Sequence, residues 1–174
     1  MKKLIYIFLL VLAACGAPKV SFDYDKSLDF KQFKTYNYFA DMETGMNQLD
    51  DKRLFFQLDS LLAVKGFTKT ATPDLLINIK TARFESSSPF QMNLGVGSVG
   101  RSGGVGVSGG VPVGNTSLNE EVLFDIVDAK RNELIWQGRS EKRLPKSTTP
   151  LAREQYFATV VAKVFEKFPP ENKK

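Results

Sequence analysis

Alternating apolar and polar positions predict three strands in the first half of the chain. Residues 20–25 ("VSFDYD") have an apolar side chain at every second position, which is the period of a half-buried strand. Residues 33–39 ("FKTYNYF") are rich in aromatic side chains and predict a second strand. Residues 74–85 ("DLLINIKTARFE") separate apolar and polar side chains onto two faces, which predicts a long third strand.

A helix is predicted between the second and third of these strands. Asn47 is a favourable N-cap, and Asp50 and Asp51 lie in the first turn, where the helix dipole favours negative charge. Gly66 is typical of the residue that follows a helix. The apolar residues at helical spacing are Leu54, Phe55, Leu58, Leu61 and Leu62.

A second helix is predicted near the end of the chain. Thr149 can cap it, Pro150 occupies the favoured first position, and Pro169 and Pro170 prevent its continuation. Its apolar stripe consists of Tyr156, Phe157, Val160, Val161, Val164, Phe165 and Phe168.

A β-hairpin is predicted between the long strand and the second helix. Residues 120–128 ("EEVLFDIVD") form its first strand, a turn follows, and residues 134–143 ("LIWQGRSEKR") return. Strict alternation puts Leu134, Trp136, Gly138 and Ser140 on one face and Ile135, Gln137, Arg139 and Glu141 on the other. Trp136 is expected in the core, although a role as a ligand anchor is the alternative.

The order of elements is β-β-α-β, a glycine-rich loop, then β-β-α. This order predicts the α+β class, with a largely antiparallel sheet and two amphipathic helices packed on one face. We expect a single α+β domain over residues 20–168, a Gly-rich loop at 86–117 and a polar tail at 169–174.

The Gly-rich loop contains a sequence that resembles a phosphate-binding motif. Within residues 95–102 ("GVGSVGRS"), Gly95, Gly97 and Gly100 match G-x-G-x-x-G, and Arg101 stands where a phosphate-binding loop has lysine. That motif must open directly into a helix, yet further glycines and a proline follow, which disfavour a helix. We therefore predict no nucleotide binding, and interpret the segment as a long loop or a weak glycine–valine hairpin.

The N-terminus has the form of a signal peptide. A basic start is followed by an apolar run at residues 4–14, which is too short to span a membrane. The run ends in "LAAC", and Cys15 is the only cysteine. This ending resembles the lipobox of bacterial lipoproteins. The resemblance implies a signal peptide at residues 1–14, cleavage between Ala14 and Cys15, and lipidation of Cys15, for example with palmitate. An ordinary secretory signal is the alternative.

The resemblance to lipoproteins also implies a location. Residues 15–19 would form the lipidated cysteine and a short tether, so the chain would contact the membrane through its lipid anchor. Gly16 stands where an aspartate keeps Gram-negative lipoproteins in the inner membrane, which favours the outer membrane, facing the periplasm. The formal net charge is +5, but residues 1–14 contribute two lysines and no acid to it. Without these residues and without Lys173 and Lys174 of the polar tail, the domain is close to neutral, and we predict no nucleic-acid partner.

The chain as a whole resembles one family, the bacterial lipoproteins that carry the domain of unknown function 4136. The most specific matches are residues 29–36 ("DFKQFKTY") and residues 128–138 ("DAKRNELIWQG"). The resemblance supports the predicted fold and location. It supplies no catalytic or binding residue to transfer.

The sequence lacks the usual catalytic side chains. It contains no histidine, and acylation of Cys15 would remove the one thiol. We therefore expect no metal site, no cofactor and no enzymatic activity. Asp125 and Asp128 lie three positions apart in a strand, so they point to opposite faces.

Two further groups of residues have simpler structural interpretations than a catalytic or cation site. Asp23 and Asp25 share a face and could serve a cation or a hydrolytic pair, but a solvated face is the preferred interpretation. Residues 146–149 ("KSTT") resemble a serine–lysine pair, although a turn and a helix cap explain them more simply.

Three functions are weighed. The first is a lipid-anchored, non-catalytic envelope protein that presents a sheet face, a strand edge or the Gly-rich loop to an envelope protein partner. The second is a carrier of lipids or small molecules with a pocket between sheet and helices, and the third is a hydrolase. The aromatic residues proposed to line the carrier pocket are Phe33, Tyr36, Tyr38, Phe39, Phe55 and Phe56.

Overall fold

The computed structural model describes residues 18–87, 116–144 and 149–171. These residues form six strands, two α-helices and one short 3₁₀ helix at Phe30–Gln32. In chain order the elements are β1 (Lys19–Tyr24), β2 (Thr35–Tyr38), α1 (Gln48–Val64), β3 (Thr68–Lys69), β4 (Leu75–Ser87), β5 (Thr116–Asp128), β6 (Glu133–Arg143) and α2 (Pro150–Val164).

The strands form one sheet in the order β1-β6-β5-β4-β2-β3. The pairs β1–β6, β6–β5 and β5–β4 are antiparallel, whereas β2 is parallel to both β4 and β3. The predicted α+β class and the largely antiparallel sheet are confirmed. The two-residue strand β3 was not predicted, because two residues carry no readable alternation.

Both helices cover the same face of the sheet. The core contains inward-facing residues of β4 and β5, such as Ile79 and Phe124, together with residues of both helices. In α1 the fully buried residues recur every four positions, at Leu54, Leu58 and Leu62. The apolar faces predicted from the sequence are therefore the faces that form the core.

An aromatic cluster closes the core at one end. Trp136 lies 5.0 Å from Phe165 and 5.2 Å from Phe168, measured between ring centroids. Phe168 also contacts Phe30 of the 3₁₀ helix at 6.2 Å. Aromatic contacts at such distances stabilise cores beyond their buried area. The core position predicted for Trp136 is confirmed.

The predicted alternation is wrong at the start of β6. Ile126 pairs with Trp136 but Val127 pairs with Leu134, so a β-bulge inserts Ile135 as an extra residue. Ile135 and Trp136 are both buried, whereas Leu134 is 54 % exposed. Leu134 therefore does not share the inner face with Trp136, because the bulge changes which side chains point inward.

The helix starts agree with the predicted caps. The Asn47 side chain accepts hydrogen bonds from the N–H groups of Leu49 and Asp50, and the Thr149 hydroxyl accepts one from Ala152. Helix α2 ends at Val164, before the last two residues of the predicted apolar stripe, Phe165 and Phe168. Both of these residues are nevertheless buried.

Strands β4 and β5 are longer than predicted. They extend to Ser87 and from Thr116, so the ends of the predicted Gly-rich loop (86–117) belong to the sheet. Residues 88–115 of that loop lie outside the described residues.

Candidate functional site

A cavity of about 500 Å³ lies at the end of the sheet where both helices begin. Small-molecule sites typically have volumes of a few hundred Å³. The cavity lies between the first turns of α1 and α2, the C-terminal half of β4 and the N-terminal half of β5. Its lining residues are Asn47, Leu49, Asp50, Arg53, Arg83, Leu118, Leu144, Pro150 and Arg153.

Arg153 is the buried centre of this cavity and is only 7 % exposed. Its Nη2 donates to Asp50 Oδ2 at 2.8 Å, and its Nε donates to Asp50 Oδ1 at 3.2 Å. Its Nη1 donates to Glu120 Oε2 at 3.4 Å. The guanidinium also lies against the rings of Tyr156 and Phe157, at 4.8 and 4.6 Å from their centroids. Arg153 thus joins α2 to both α1 and the sheet.

Each buried carboxylate is shared between two arginines. Asp50 also accepts a hydrogen bond from Arg53 Nη1 at 2.9 Å. Glu120 is fully buried and accepts one from Arg83 Nε at 2.9 Å. Arg83 is the cross-strand partner of Glu120, so the register of β4 and β5 brings the two together. Such charge-assisted bonds satisfy carboxylates that would otherwise be costly to bury.

The charges in this cluster change the pKa values of its members. Burial alone would raise the pKa of Asp50, but Arg153 and Arg53 hold it below its ordinary value. Burial would lower the pKa of Arg153, and the carboxylates of Asp50 and Glu120 raise it above its ordinary value. Burial and Glu120 together raise the pKa of Tyr156. Asp50 and Arg153 therefore stay charged, and Tyr156 stays neutral.

The lining carries an excess of positive charge. Three guanidinium groups share two carboxylates, and the positive ends of the dipoles of α1 and α2 add to the imbalance. Lys142 of β6 is the cross-strand partner of Glu120. The Lys142 Nζ lies 5.4 Å from the centre of the Tyr156 ring. The cavity can therefore attract an anionic group.

Two exposed leucines, Leu49 and Leu118, line the cavity beside its charged residues. Leu49 and Leu151 each occupy the second position of a helix, and each is 62 % exposed. Leu118 of β5 is 44 % exposed. Leu49 and Leu118 line the cavity, and Leu151 follows the lining residue Pro150. The site therefore combines a cationic interior with an apolar rim.

Several residues named in the sequence analysis lie outside the described part of the chain. These include the predicted cleavage and lipidation residues Ala14 and Cys15, and the glycine motif at 95–102. Of the segment 146–149, only Thr149 is described, and it caps α2. Among the described residues, neither α1 nor α2 qualifies as a membrane-spanning helix.

The carboxylates considered in the sequence analysis, Asp23, Asp25, Asp125 and Asp128, lie in separate hydrogen-bonding environments. Asp23 and Asp25 are exposed, and Asp25 accepts a hydrogen bond from the Ser27 hydroxyl at 2.6 Å. Asp125 accepts one from Gln137 on the outer face of the sheet, whereas Asp128 is buried and accepts N–H groups of the following turn. Asp125 and Asp128 point to opposite faces, as predicted. Among the described residues, no group of three or more acidic side chains could hold a metal ion.

Sequence reasoning missed the arginine cavity. Asp50 was interpreted only as a first-turn acid, and neither Glu120 nor Arg153 was singled out. A signal was present, because Asp50 lies four residues before Leu54 and Arg153 lies four before Phe157. Both charged residues therefore continue an apolar helix stripe toward the N-terminus.

The fold defines an α+β domain that other solved proteins share. A PDZ domain protein from Parabacteroides distasonis ATCC 8503 is similar, with a TM-score of 0.54 and 20% identity, over 91% of this chain and 36% of that one. The chain thus spans about a third of that protein's length. The PelC dodecamer from Paraburkholderia phytofirmans is similar with a TM-score of 0.50 and 9% identity, over 85% of this chain and 94% of that one. These likenesses concern the fold alone.

Family membership follows from the sequence. The family model of the domain of unknown function DUF4136 matches residues 20–170, which include every helix and nearly every strand residue described above. The chain belongs to the DUF4136 family. No curated protein sequence matches it.

Proposed function

We propose that this DUF4136 protein is a lipid-anchored, non-catalytic component of the bacterial cell envelope that binds another envelope component. The observation that carries the proposal is the N-terminal sequence. A basic start and an apolar run lead to "LAAC", whose cysteine is the only one in the chain. Lipid attached to Cys15 would keep the folded domain at a membrane surface, most simply the periplasmic face of the outer membrane.

The position of β1 supports this arrangement. Only three residues separate Cys15 from the start of β1 at Lys19, so the anchor would lie within about 14 Å of that strand. Lys19 pairs with Glu141, which pairs with Glu121, which pairs with Ala82. This row of residues crosses the sheet at the same end as Arg83 and the cavity. The anchor would therefore turn that end of the domain toward the bilayer.

Strand β1 is the surface that we propose for the partner. It lies at one edge of the sheet, and within the described residues only β6 pairs with it. Its outer edge presents backbone N–H and C=O groups that can pair with an extended segment of another protein. Phe22 on the same strand is partly exposed and adds an apolar contact.

A carrier function is less well supported. Of the aromatic residues proposed to line a carrier pocket, Phe33 and Tyr36 are buried in the core, and Phe56 is exposed on α1. Side chains such as Phe124 and Phe157 fill the space between sheet and helices. A ligand as large as an acyl chain would have to displace this packing, which costs several kcal/mol.

Fractionation of cells expressing the full chain tests the proposal. Wild-type protein should incorporate alkyne-labelled palmitate and sediment with membranes. Cys15→Ser should abolish labelling and alter the sedimentation, whereas the matched control Ala17→Ser should behave as wild type. Labelling that survives in Cys15→Ser would refute the anchor.

Crosslinking tests the partner surface. A photo-crosslinking residue at Ser21 or Asp23 of β1 should capture a defined envelope protein in living cells. The same residue at Lys52 on the exposed side of α1 is the control and should not. Equal capture from both positions would argue against the β1 edge.

A further inference from the structure

We infer that the arginine-lined cavity binds the headgroup of an anionic phospholipid in the membrane to which the chain is tethered. The inference rests on the proposed lipid anchor for the source of the ligand, and on the described residues for its chemistry. The proposed partner surface on β1 is separate from this cavity.

The net positive charge of the cavity lining favours an anionic ligand. Asp50 and Glu120 are each shared between two guanidinium groups, which leaves three cations for two carboxylates. The N–H groups at the starts of α1 and α2 face the same end of the domain. A phosphate that entered the cavity would supply the missing negative charge, and guanidinium groups match its geometry well.

The arginines differ in their freedom to reach a ligand. Arg153 is almost fully buried and occupied by Asp50 and Glu120, so it positions those carboxylates. The side chain of Arg83 is 49 % exposed and contacts Glu120 from the cavity side. Arg83 can therefore bind a phosphate while Arg153 still compensates Glu120. We assign Arg83 as the principal binding residue, and Arg53 as the second.

The apolar rim distinguishes a lipid from a small soluble phosphate. Leu49 and Leu118 line the cavity and are large apolar side chains left substantially exposed beside a charged interior. A soluble phosphate would make no use of them. A phospholipid would place its phosphate inside and its glycerol and first methylene groups against the leucines, which removes apolar surface from water.

The location of the cavity agrees with a ligand in the bilayer. Lys19 and Ala82 lie in one cross-strand row, three strand spacings apart, or about 14 Å. Arg83 follows Ala82 directly. A tether of three residues before Lys19 would keep the anchor, the leucine rim and Arg83 at one membrane-facing end.

The test uses the full chain purified in uncharged dodecyl maltoside micelles. Isothermal titration calorimetry compares dioctanoyl phosphatidylglycerol, which is anionic, with dioctanoyl phosphatidylcholine, which has no net charge. We expect phosphatidylglycerol to bind about tenfold more tightly to the wild type. Arg83→Gln should reduce this preference about fivefold or more. Arg139→Gln is the matched control, because Arg139 is a similarly exposed strand arginine paired with a glutamate, Glu121, away from the cavity.

Each outcome decides the inference. Equal affinity for the two lipids, or equal effects of Arg83→Gln and Arg139→Gln, would overturn it. Inorganic phosphate that binds as tightly as phosphatidylglycerol would overturn the lipid as occupant. If Arg83→Gln does not fold by circular dichroism, Arg53→Gln replaces it with the same expectation. Lipid preference without palmitate labelling would refute the anchor alone, and labelling without lipid preference would refute only this site.

Discussion

Arg153 of α2 and Asp50 of α1, which lie 103 positions apart in the sequence, form a bidentate ion pair with donor–acceptor distances of 2.8 and 3.2 Å. The pair connects the first turns of the two helices. Arg153 also contacts Glu120 of β5. One side chain therefore connects both helices to the sheet. The same contacts build the candidate site, so the stability of this end of the domain and the ligand binding that we propose depend on the same residues.

Replacing Arg153 with leucine should destabilise the domain by about 3–5 kcal/mol, because Asp50 and Glu120 would remain buried with less compensation. Urea denaturation followed by tryptophan fluorescence measures the free energy of unfolding. Arg139→Leu, which breaks an exposed ion pair, should change it by less than about 1 kcal/mol. Equal losses in the two variants would mean that the buried network contributes no more than a surface pair.

The domain should lose stability in acid through Asp74. Its Oδ2 accepts the N–H groups of Lys34 and Thr35 and the Thr35 hydroxyl, at 2.9–3.1 Å. These hydrogen bonds, the one from Lys34 first, hold the pKa of Asp74 below its ordinary value. The unfolded chain has the ordinary value of about 3.9, so this stabilisation is present above that pH and is lost as pH falls through the lower folded pKa.

Denaturation at pH 7 and pH 3 checks this expectation. The wild type should be less stable at pH 3, and Asp74→Asn should lose less on acidification because it has no carboxyl to protonate. Asp23→Asn is the matched control, since Asp23 is an exposed carboxylate. An acid response of Asp74→Asn equal to that of the wild type would contradict the assignment.

Three tyrosines should resist ionisation in the folded protein. Tyr36 and Tyr38 both donate to Asp59 Oδ1, at 2.8 and 2.7 Å, and burial and then Asp59 raise the pKa of each phenol. Tyr156 is raised by burial and Glu120. The neutral phenol is favoured in the fold, so this stabilisation is present below the ordinary pKa of about 10 and is lost as pH rises above it.

Absorbance at 295 nm measures this directly. Those three tyrosines should titrate only well above pH 10 until urea unfolds the protein. In the double variant Tyr36→Phe, Tyr38→Phe, only one resistant tyrosine should remain. If Tyr36 and Tyr38 ionise near pH 10 in the folded state, their buried hydrogen bonds to Asp59 are absent.

Gly138 should tolerate no side chain. A Cβ at this position would collide with the Trp136 indole and with a methyl group of Val164 in α2. Gly138→Ala should therefore cost about 1–3 kcal/mol of stability, because neither neighbour can move without disturbing the aromatic cluster. Gln137→Ala, the adjacent change on the outer face, should cost much less, and a thermal melt compares the two. A Gly138→Ala variant as stable as the wild type would show that α2 can shift away from β6.

Most of the fold could be predicted because burial follows the periods of strands and helices. The stripes of α1 and α2 and the alternation of β4 and β5 each repeat often enough to be unambiguous. The start of β6 is different, since Ile135 and Trp136 are adjacent apolar residues and alternation can bury only one of them. The bulge buries both, and only the register against β5 reveals it.

The candidate site could not be predicted, for a related reason. Asp50, Glu120 and Arg153 each continue an apolar pattern at the start of a helix or strand as the sequence predicts it, where a charged residue is ordinarily exposed. Each residue alone is unremarkable in the sequence. Their meeting depends on the order of strands and on both helices starting at one end of the sheet, which local patterns do not encode.

We propose above all that a lipid on Cys15 tethers the domain at a membrane. Mass spectrometry of the N-terminal peptide from the purified protein tests it most directly. We predict a peptide that begins at Cys15 and carries diacylglycerol, with no trace of residues 1–14. A peptide that begins elsewhere, or one whose cysteine carries a free thiol, would contradict the claim.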